Sequence, residues 1–315
     1  MRPPNKRILI TCPPMIGCLK DFSKEFDRLG WSVLAPEVMQ TMSEDELVEL
    51  VPKFDGWIIG DDPVTGKVLS SGMAGDLKAA VRWGVGTDNI DEAACGRLGF
   101  SIPNTPHMFG DEVADIAMCY VIGLARQVFR IDRGVRSGDW PKPAGLSLRG
   151  KTAALIGYGD IGKNTASRLL CSGLKVLAYD PNVSALDLPA GVTHCAWPNR
   201  LSEADFVVIT CALNEATHHL INEDSISVMR DGVRIVNVSR GPIIDERALV
   251  RAQKSGKINS IALDVFETEP VEANSELLMY DSNIFGSHNA SNTVDAVWRT
   301  SMLACEKLND RLQAY

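Results

Sequence analysis

Three side chains in the last third of the chain have the types needed for proton transfer beside a carboxylate. His288 lies among small polar residues in "GSHNASNT", Arg240 follows the apolar run "RIVNVS", and Glu269 lies in "ALDVFETEP". A histidine gains or loses a proton near neutral pH, and an arginine binds a carboxylate through two charge-assisted hydrogen bonds. Taken alone, His288 is better explained as an ordinary loop residue, so its interpretation depends on the elements that would position all three.

The second half of the chain supplies those elements as a series of strands and helices. Short β-type runs occur in "TAALIG", "KVLAYD", "DFVVITC", "RIVNVS" and "SIALDVF", with helical or loop segments between them. Such alternation predicts a parallel sheet, whose ligands bind beyond the carboxyl ends of the strands. Because Arg240 and Asp264 come at the ends of two of these runs, we expect both at that edge of the sheet.

A similar series begins the chain. Residues 7–11, 31–35, 54–59 and 78–83 are short β-type runs, and "SEDELVELV" between them has helical spacing. A long helical segment is predicted from about Asp111 to Val135. A closing helix is predicted from about Thr293 to Gln313, and the sequence does not say onto which domain that helix folds. The length of 315 residues is enough for two domains of the α/β class, each with its own core.

A glycine-rich turn opens the second series. "TAALIGYGDIGKNTASRLL" gives strand, GxGxxG and helix in the order of a dinucleotide-binding fold. Gly157 permits a tight turn, Gly159 lets a diphosphate approach the backbone, and Gly162 lets helix and strand pack closely. Asp180 follows the next strand, where a carboxylate binds an adenosine ribose and repels a 2′-phosphate. The segment therefore predicts NAD rather than NADP, with a purely structural glycine turn as the alternative.

Composition excludes several classes of partner. A hydrophobic fraction of 45% is typical of a globular protein, and a net charge of −8 disfavours nucleic acid and anionic membranes. The start "MRPPNKRILITCPP" has too short an apolar run for a signal peptide, and no later stretch approaches a membrane span, so a cytoplasmic protein is predicted. The eight cysteines include no CxxC pair, which favours free thiols over a metal site or disulfides.

The motifs are shared, in order, with a known family over nearly the whole chain. "RWGVGTDNID", "IPNTP", "LRGKTAALIGYGDIG", "YDP", "VNVSRGPIIDERAL", "ALDVFETEP" and "SHNAS" together resemble the D-specific 2-hydroxyacid dehydrogenases, and among them the phosphoglycerate-dehydrogenase-like members. The resemblance implies a Rossmann NAD-binding domain, residues 105–288, inserted in a flavodoxin-like α/β substrate domain of residues 1–104 and 289–315. Because the chain ends just after the closing helix, no regulatory domain is expected.

The resemblance also implies a role for each candidate residue. His288 would be the acid–base group, Glu269 would orient and charge it, and Arg240 would bind the substrate carboxylate and keto oxygen. Arg82 and the backbone around Val85 and Gly86 would bind the substrate from the first domain. The implied cofactor-binding residues, of which Asp264 would contact the nicotinamide end, are Gly157, Gly159, Asp160, Ile161, Gly162, Asp180, Cys211, Val238, Asp264 and Ala290.

The implied activity is hydride transfer between NAD and C2 of a small D-2-hydroxy acid or 2-keto acid, by a homodimer joined through its NAD domains. A substrate with a second anionic group, phosphoglycerate-like or phosphonate-like, is favoured, because Arg82, Arg130, Arg133 and Arg136 could bind that group, whereas Asp61 and Asp62 in "GDDPVT" disfavour phosphate. An NAD-sensing, corepressor-like regulator of the same fold is the alternative function. A formate-dehydrogenase-like enzyme is disfavoured, because its histidine has an amide partner where this chain has Glu269.

The other histidines are interpreted as structural. His218 and His219, in "EATHHLIN", fall outside every motif and are expected at the surface or in a helix cap, and His194 is expected to be structural. For His107, in "NTPHMFG", a position that faces the substrate is the alternative to a structural role.

Overall fold

Two parallel β-sheets organise the chain in the computed structural model, which describes residues 5–314. The first has the strand order β2-β1-β3-β4 and the second β11-β10-β9-β8-β5-β6-β7. The strands are β1 (Lys6–Ile10), β2 (Trp31–Leu34), β3 (Gly56–Ile59), β4 (Ala79–Arg82), β5 (Thr152–Ile156), β6 (Lys175–Tyr179), β7 (Val192–His194), β8 (Phe206–Ile209), β9 (Val233–Asn237), β10 (Ile258–Leu263) and β11 (Ile284–Phe285).

Helices connect these strands. They are α1 (Pro13–Ile16), α2 (Ser23–Leu29), α3 (Glu44–Leu50), α4 (Gly66–Ala74), α5 (Glu92–Leu98), α6 (Gly110–Arg126), α7 (Val128–Arg136), α8 (Asp160–Cys171), α9 (Glu223–Ser227), α10 (Glu246–Lys254) and α11 (Val294–Leu312). Short 3-10 turns lie at Leu19–Phe22, Val51–Lys53, Ala185–Asp187, Leu201–Glu203, Gly241–Ile243 and Glu276–Met279. The α/β class predicted from the sequence is therefore confirmed.

The first unit comprises the described residues up to Met108 together with those from Asn292 onward. Its strand order is that of a flavodoxin-like sheet shortened to four strands. Helix α11 packs on β3 and β4, and Trp83 donates its indole N–H to Ser301 Oγ at 2.9 Å. These contacts assign the closing helix, which the sequence left unassigned, to the first unit.

The second unit comprises Phe109–Ser291. Counted from β5, its strands have the order 3-2-1-4-5-6 of a Rossmann fold, extended by β11. All residues of β8 are buried, as are all but the first of β5, because helices cover both faces of such a sheet. The units change over at 108/109 and 291/292, whereas the sequence placed the domain boundaries at 104/105 and 288/289.

The helical segment predicted from Asp111 to Val135 is helical except at Gln127, where it divides into two helices. Gln127 adopts a left-handed backbone with φ +55°, which separates α6 from α7. The side-chain amide of Gln127 donates to Ala144 O at 3.2 Å, and Leu146 N–H donates to Ala125 O at 2.8 Å. The proline-rich segment that follows α7 thus bonds back to the junction, and hydrophobic periodicity alone does not reveal such a bond.

Three further features bear on the classes considered above. Within residues 5–314, no helix is long and apolar enough to cross a membrane. Over the same residues, no three His, Cys, Asp or Glu side chains are grouped to hold a metal ion. All eight cysteines are free thiols.

Candidate active site

The glycine turn between β5 and α8 has the geometry that the sequence predicts for a dinucleotide. Gly157 has φ +93°, and a Cβ there would lie 2.6 Å from the backbone of Cys211. A Cβ on Gly162 would lie 2.3 Å from Gly157 O, so helix and strand pack without room for a side chain. A Cβ on Gly159 would meet no described atom within 4 Å, which leaves the backbone at the start of α8 open to a diphosphate.

A carboxylate stands at the end of β6, beside this turn. Asp180 accepts hydrogen bonds from Tyr158 N–H at 2.7 Å and from Asn182 N–H at 2.9 Å. The ring of His194 contacts Asp180 O at 3.1 Å. These bonds fix the carboxylate where ribose hydroxyls can donate to it, so the residues present fit NAD.

The remaining predicted cofactor residues surround the same sheet edge. Asp160 and Ile161 form the first turn of α8, and the buried Val238 directly follows β9. Cys211 follows β8 and packs against Gly157; burial raises the pKa of its thiol to about 12. The Cys211 thiol is therefore protonated at neutral pH and contributes shape rather than charge.

Arg240 lies just beyond β9, on a segment whose backbone is hydrogen-bonded to the side chain of Asn237. The side chain of the buried Asn237 donates to Arg240 O at 2.8 Å and accepts from Ser239 N–H at 3.0 Å. Gly241 follows, and a Cβ there would come within 2 Å of the Phe266 backbone, 1.9 Å from its carbonyl carbon. The segment that carries Arg240 is therefore packed directly against the loop after β10.

That loop carries Glu269, which bonds to the predicted histidine. Glu269 Oε1 accepts from Phe266 N–H at 2.9 Å, and Glu269 Oε2 lies 2.7 Å from His288 Nδ1. Both side chains are about four-fifths buried, with 20% and 21% of their surface exposed. A carboxylate at this distance accepts the Nδ1 proton and favours the protonated imidazolium.

His288 itself sits in a turn braced by Asp264. Its φ of +56° is uncommon for a residue other than glycine, and its N–H donates to Asp264 O at 2.7 Å. The buried Asp264 carboxylate accepts from Ala290 N–H at 2.9 Å and from the Tyr120 hydroxyl at 3.3 Å. Burial and the Asp264 charge raise the pKa of Tyr120, so that hydroxyl stays a donor.

In the first unit, the predicted substrate residues form a separate turn. The buried Arg82 side chain donates to Gly86 O at 3.0 Å and to Trp83 O, and pairs with Asp61. Asn104 donates to Val85 O at 2.7 Å. Within the described residues, the N–H groups of Val85 and Gly86 have no hydrogen-bond partner. The turn thus uses its carbonyls internally and presents two backbone donors.

The two acids of "GDDPVT" also have internal roles. Asp62 is fully buried; it accepts from Met42 N–H at 2.9 Å, from Gly60 N–H at 3.2 Å and from the Thr11 hydroxyl. Burial raises the pKa of Asp62 despite these hydrogen bonds, and the nearby Asp61 raises it further. Asp62 is therefore a structural residue of the loop that follows β3.

Sequence reasoning missed three side chains next to Glu269. His219 lies at the surface, as expected, and its Nε2 is 2.5 Å from Glu267 Oε1. Glu267 N–H in turn donates to Glu246 Oε1 at 2.8 Å. The sequence could have indicated two of these residues only through their closeness to candidate residues. Glu246 begins the segment "ERAL" shortly after Arg240, and Glu267 precedes Glu269 in "FETEP".

The chain is similar in sequence to one family of dehydrogenases and to proteins within it. Residues 118–290 match the family model described as D-isomer specific 2-hydroxyacid dehydrogenase, NAD binding domain. A hydroxypyruvate reductase from Thermotoga maritima is 37% identical over 272 residues, which are 85% of this chain and 88% of that protein. A D-3-phosphoglycerate dehydrogenase from Archaeoglobus fulgidus is 35% identical over 90% of this chain, which spans about half, 54%, of that longer protein.

A solved structure gives the same result for the fold. D-lactate dehydrogenase from Aquifex aeolicus, complexed with NAD and lactic acid, superposes with a TM-score of 0.85 at 26% identity. The superposition covers 98% of this chain and 96% of that protein.

Proposed function

The chain belongs to the NAD-dependent D-isomer-specific 2-hydroxyacid dehydrogenases, and we propose that His288, Glu269 and Arg240 are its catalytic residues. The substrate would be a small D-2-hydroxy acid or the corresponding 2-keto acid. The observation that carries this proposal is the 2.7 Å contact between His288 Nδ1 and Glu269 Oε2. Bound NAD supplies the nicotinamide that accepts or donates the hydride.

His288 would move the proton that accompanies this hydride. Because Glu269 accepts the Nδ1 proton, exchange with the substrate oxygen falls to Nε2. In reduction the imidazolium protonates the keto oxygen, and in oxidation the neutral ring accepts the alcohol proton. The bond from Glu269 would orient the ring for this exchange, on a turn that Asp264 braces.

Arg240 in the second unit and the Val85–Gly86 turn in the first unit each have groups suited to binding a carboxylate. A guanidinium makes two parallel hydrogen bonds with a carboxylate and polarises a neighbouring carbonyl. Backbone N–H groups without internal partners, as at Val85 and Gly86, are suitable donors to an anion. Both roles are supported by geometry within the respective unit.

For the substrate side chain we favour a group without phosphate. Of the arginines that the sequence offers for a second anionic group, Arg82 pairs with Asp61 and with carbonyls of its own turn. The others, on α7, bond to Gln127, Asp281 O and Asp132. A phosphate at Arg82 would compete with Asp61 and meet its charge. Hydroxypyruvate or glyoxylate therefore fits better than a phosphorylated keto acid, in line with the name of the Thermotoga maritima relative.

The test is oxidation of NADH in the presence of a panel of 2-keto acids. We expect turnover with hydroxypyruvate or glyoxylate, weaker turnover with phosphohydroxypyruvate, and a D-hydroxy acid as product where the product is chiral. NADPH should be the poorer donor, because Asp180 would repel its 2′-phosphate. NADH binding without turnover on any acid would instead favour the NAD-sensing regulator.

We also propose that the protein is a homodimer formed through the second unit. The apolar face of α6, considered for this contact from the sequence, is mostly buried against α8, β9 and β10. Exposed apolar side chains lie instead on and after α7: Val128, Val135 and Trp140. Light scattering on wild type and on a Trp140→Ser variant tests this surface. A cytoplasmic location stays a prediction from the sequence.

A further inference from the structure

Two carboxylates bind two consecutive backbone N–H groups in the loop after β10, here called the Glu269 loop (residues 264–270). Phe266 N–H donates to Glu269 Oε1 at 2.9 Å, and Glu267 N–H donates to Glu246 Oε1 at 2.8 Å. The first bond orients the carboxylate that faces His288. The second bond ties the next peptide group to α10. The N–H that binds Glu269 and the N–H that binds Glu246 therefore belong to consecutive residues, Phe266 and Glu267.

Glu246 can fix the position of the Glu269 loop, because Glu246 itself belongs to a capped helix. It is the first residue of α10, and the preceding Asp245 caps that helix by accepting from Ala248 N–H at 3.0 Å. The chain between Arg240 and Glu246 lies against the Glu269 loop, since a Cβ on Gly241 would reach the Glu267 backbone nitrogen at 2.4 Å. Glu246 thus joins the segment that carries Arg240 to the loop that carries Glu269.

We propose that Glu246 is a positioning residue of the reaction: it holds the Glu269 loop against α10 and adds its negative charge to that of Glu269 beside His288. This inference rests on the proposed function. Glu246 need not touch the substrate, because it acts through the Glu267 peptide and through the local charge.

The charges around Glu246 determine what its removal does. Glu267 and Glu269 face it from the Glu269 loop, and His219, from the segment before α9, faces Glu267 at 2.5 Å. Burial, and then the charges of Glu267 and Glu269, raise the pKa of Glu246, against the hydrogen bond from Glu267 N–H. Above that pKa, ionised Glu246 favours the imidazolium form of His288, so its neutralisation makes His288 lose its proton at lower pH.

The structural alternative is that Glu246 only improves the first turn of α10. Acidic residues in a first helical turn stabilise a helix wherever they occur. The chain contains a matched control in α5, where Glu92 likewise follows a capping aspartate, Asp91, whose side chain accepts from Ala94 N–H. Glu92→Gln removes the same helix charge in the first unit, and the Gln amide oxygen can still accept from the Thr87 hydroxyl, which lies 3.4 Å from Glu92 Oε1.

The experiment compares the wild type with Glu246→Ala, Glu246→Gln and Glu92→Gln in NADH-dependent keto-acid reduction across pH. Glu246→Ala should lower kcat by about tenfold or more, because small displacements of a catalytic group are costly, with KM for NADH within about twofold. Glu246→Gln keeps an acceptor for Glu267 N–H; it should regain most of kcat, with the alkaline fall in activity moved down by about half a pH unit. Glu92→Gln should match the wild type.

A titration of His288 by NMR in the unliganded protein gives a readout that does not depend on turnover, and its midpoint should fall in Glu246→Gln. Wild-type kinetics and an unmoved His288 titration in both Glu246 variants would overturn the proposal, as would equal losses in Glu246→Ala and Glu246→Gln with an unmoved pH profile. Absence of turnover in the wild type would instead reject the proposed function, whatever the Glu246 variants show.

Discussion

The carboxyl edges of the two sheets differ in the groups that we propose bind an anion. At the edge of the second unit these are partly exposed ionisable side chains: Arg240 follows β9, and His288, which follows β11, is paired with Glu269 in the loop after β10. At the edge of the first unit, charged side chains are paired internally, as in Arg82 with Asp61, and backbone N–H groups are presented. The same residue type, arginine, therefore has two different expected roles in one chain.

The difference predicts two kinds of mutational effect. Substitutions at the second edge should remove chemistry and leave the fold intact, because those side chains are partly exposed and braced by backbone. Substitutions of Arg82 should destabilise the fold, because its side chain is buried among hydrogen-bond acceptors. The substitutions below test each side of this division.

His288→Ala should show the greatest loss. We expect kcat to fall by about 10²- to 10⁴-fold, since the proton donor of reduction is removed. NADH binding, followed by fluorescence titration, should be retained, and the exposed His218→Ala serves as a control. Turnover near wild type would remove this histidine from the mechanism.

Arg240→Lys should lower kcat/KM for the keto acid by about 10²-fold. An ammonium keeps the charge but does not make two parallel hydrogen bonds to a carboxylate. Steady-state kinetics at saturating NADH measure the loss, and thermal unfolding should be unchanged. A loss under about threefold would mean that Arg240 does not bind the substrate in this way.

Arg82→Met should act on stability. It removes the guanidinium that donates to Gly86 O and Trp83 O and that pairs with Asp61, which costs about 3 kcal/mol in the free energy of unfolding. Urea unfolding measures the change against Arg97→Met, an exposed arginine of α5. Unchanged stability with a raised KM for the keto acid would show that Arg82 binds substrate and would remove the contrast between the two edges.

Glu269→Gln should have the subtlest effect, on pH dependence. The amide oxygen still accepts from Phe266 N–H, but the charge that favours the imidazolium is lost. Reduction needs the protonated ring, so its pH profile should move to lower pH by about one unit. An unchanged kcat profile would assign Glu269 a purely structural role.

The sequence predicted what depends on local pattern. The glycine turn, the buried strands and the types of Arg240, Glu269 and His288 each follow from spacing and residue chemistry within short segments. The short edge strands β7 and β11 were not predicted, because three and two residues give too little alternation to recognise.

What depends on contacts between distant segments was not predicted. The Glu246–Glu267 and His219–Glu267 bonds join residues 21 and 48 positions apart, and no local rule gives such a pairing. Arg82 is the opposite case, because the local pattern indicated a ligand-binding role that its contacts with distant residues do not support. Its type and its place at the end of β4 are those of a ligand-binding arginine, but burial and the neighbouring carbonyls give it an internal role.

The Asp264 brace has a consequence for redesign. The buried Asp264 carboxylate accepts from Tyr120 of α6 and from Ala290 N–H in the turn that carries His288. A change to that turn therefore also affects the contact with α6. The Val85–Gly86 turn lies in another unit and on other braces. To change the substrate, one should therefore vary the residues around the Val85–Gly86 turn and leave His288 and Glu269, the proposed proton-transfer residues, unchanged.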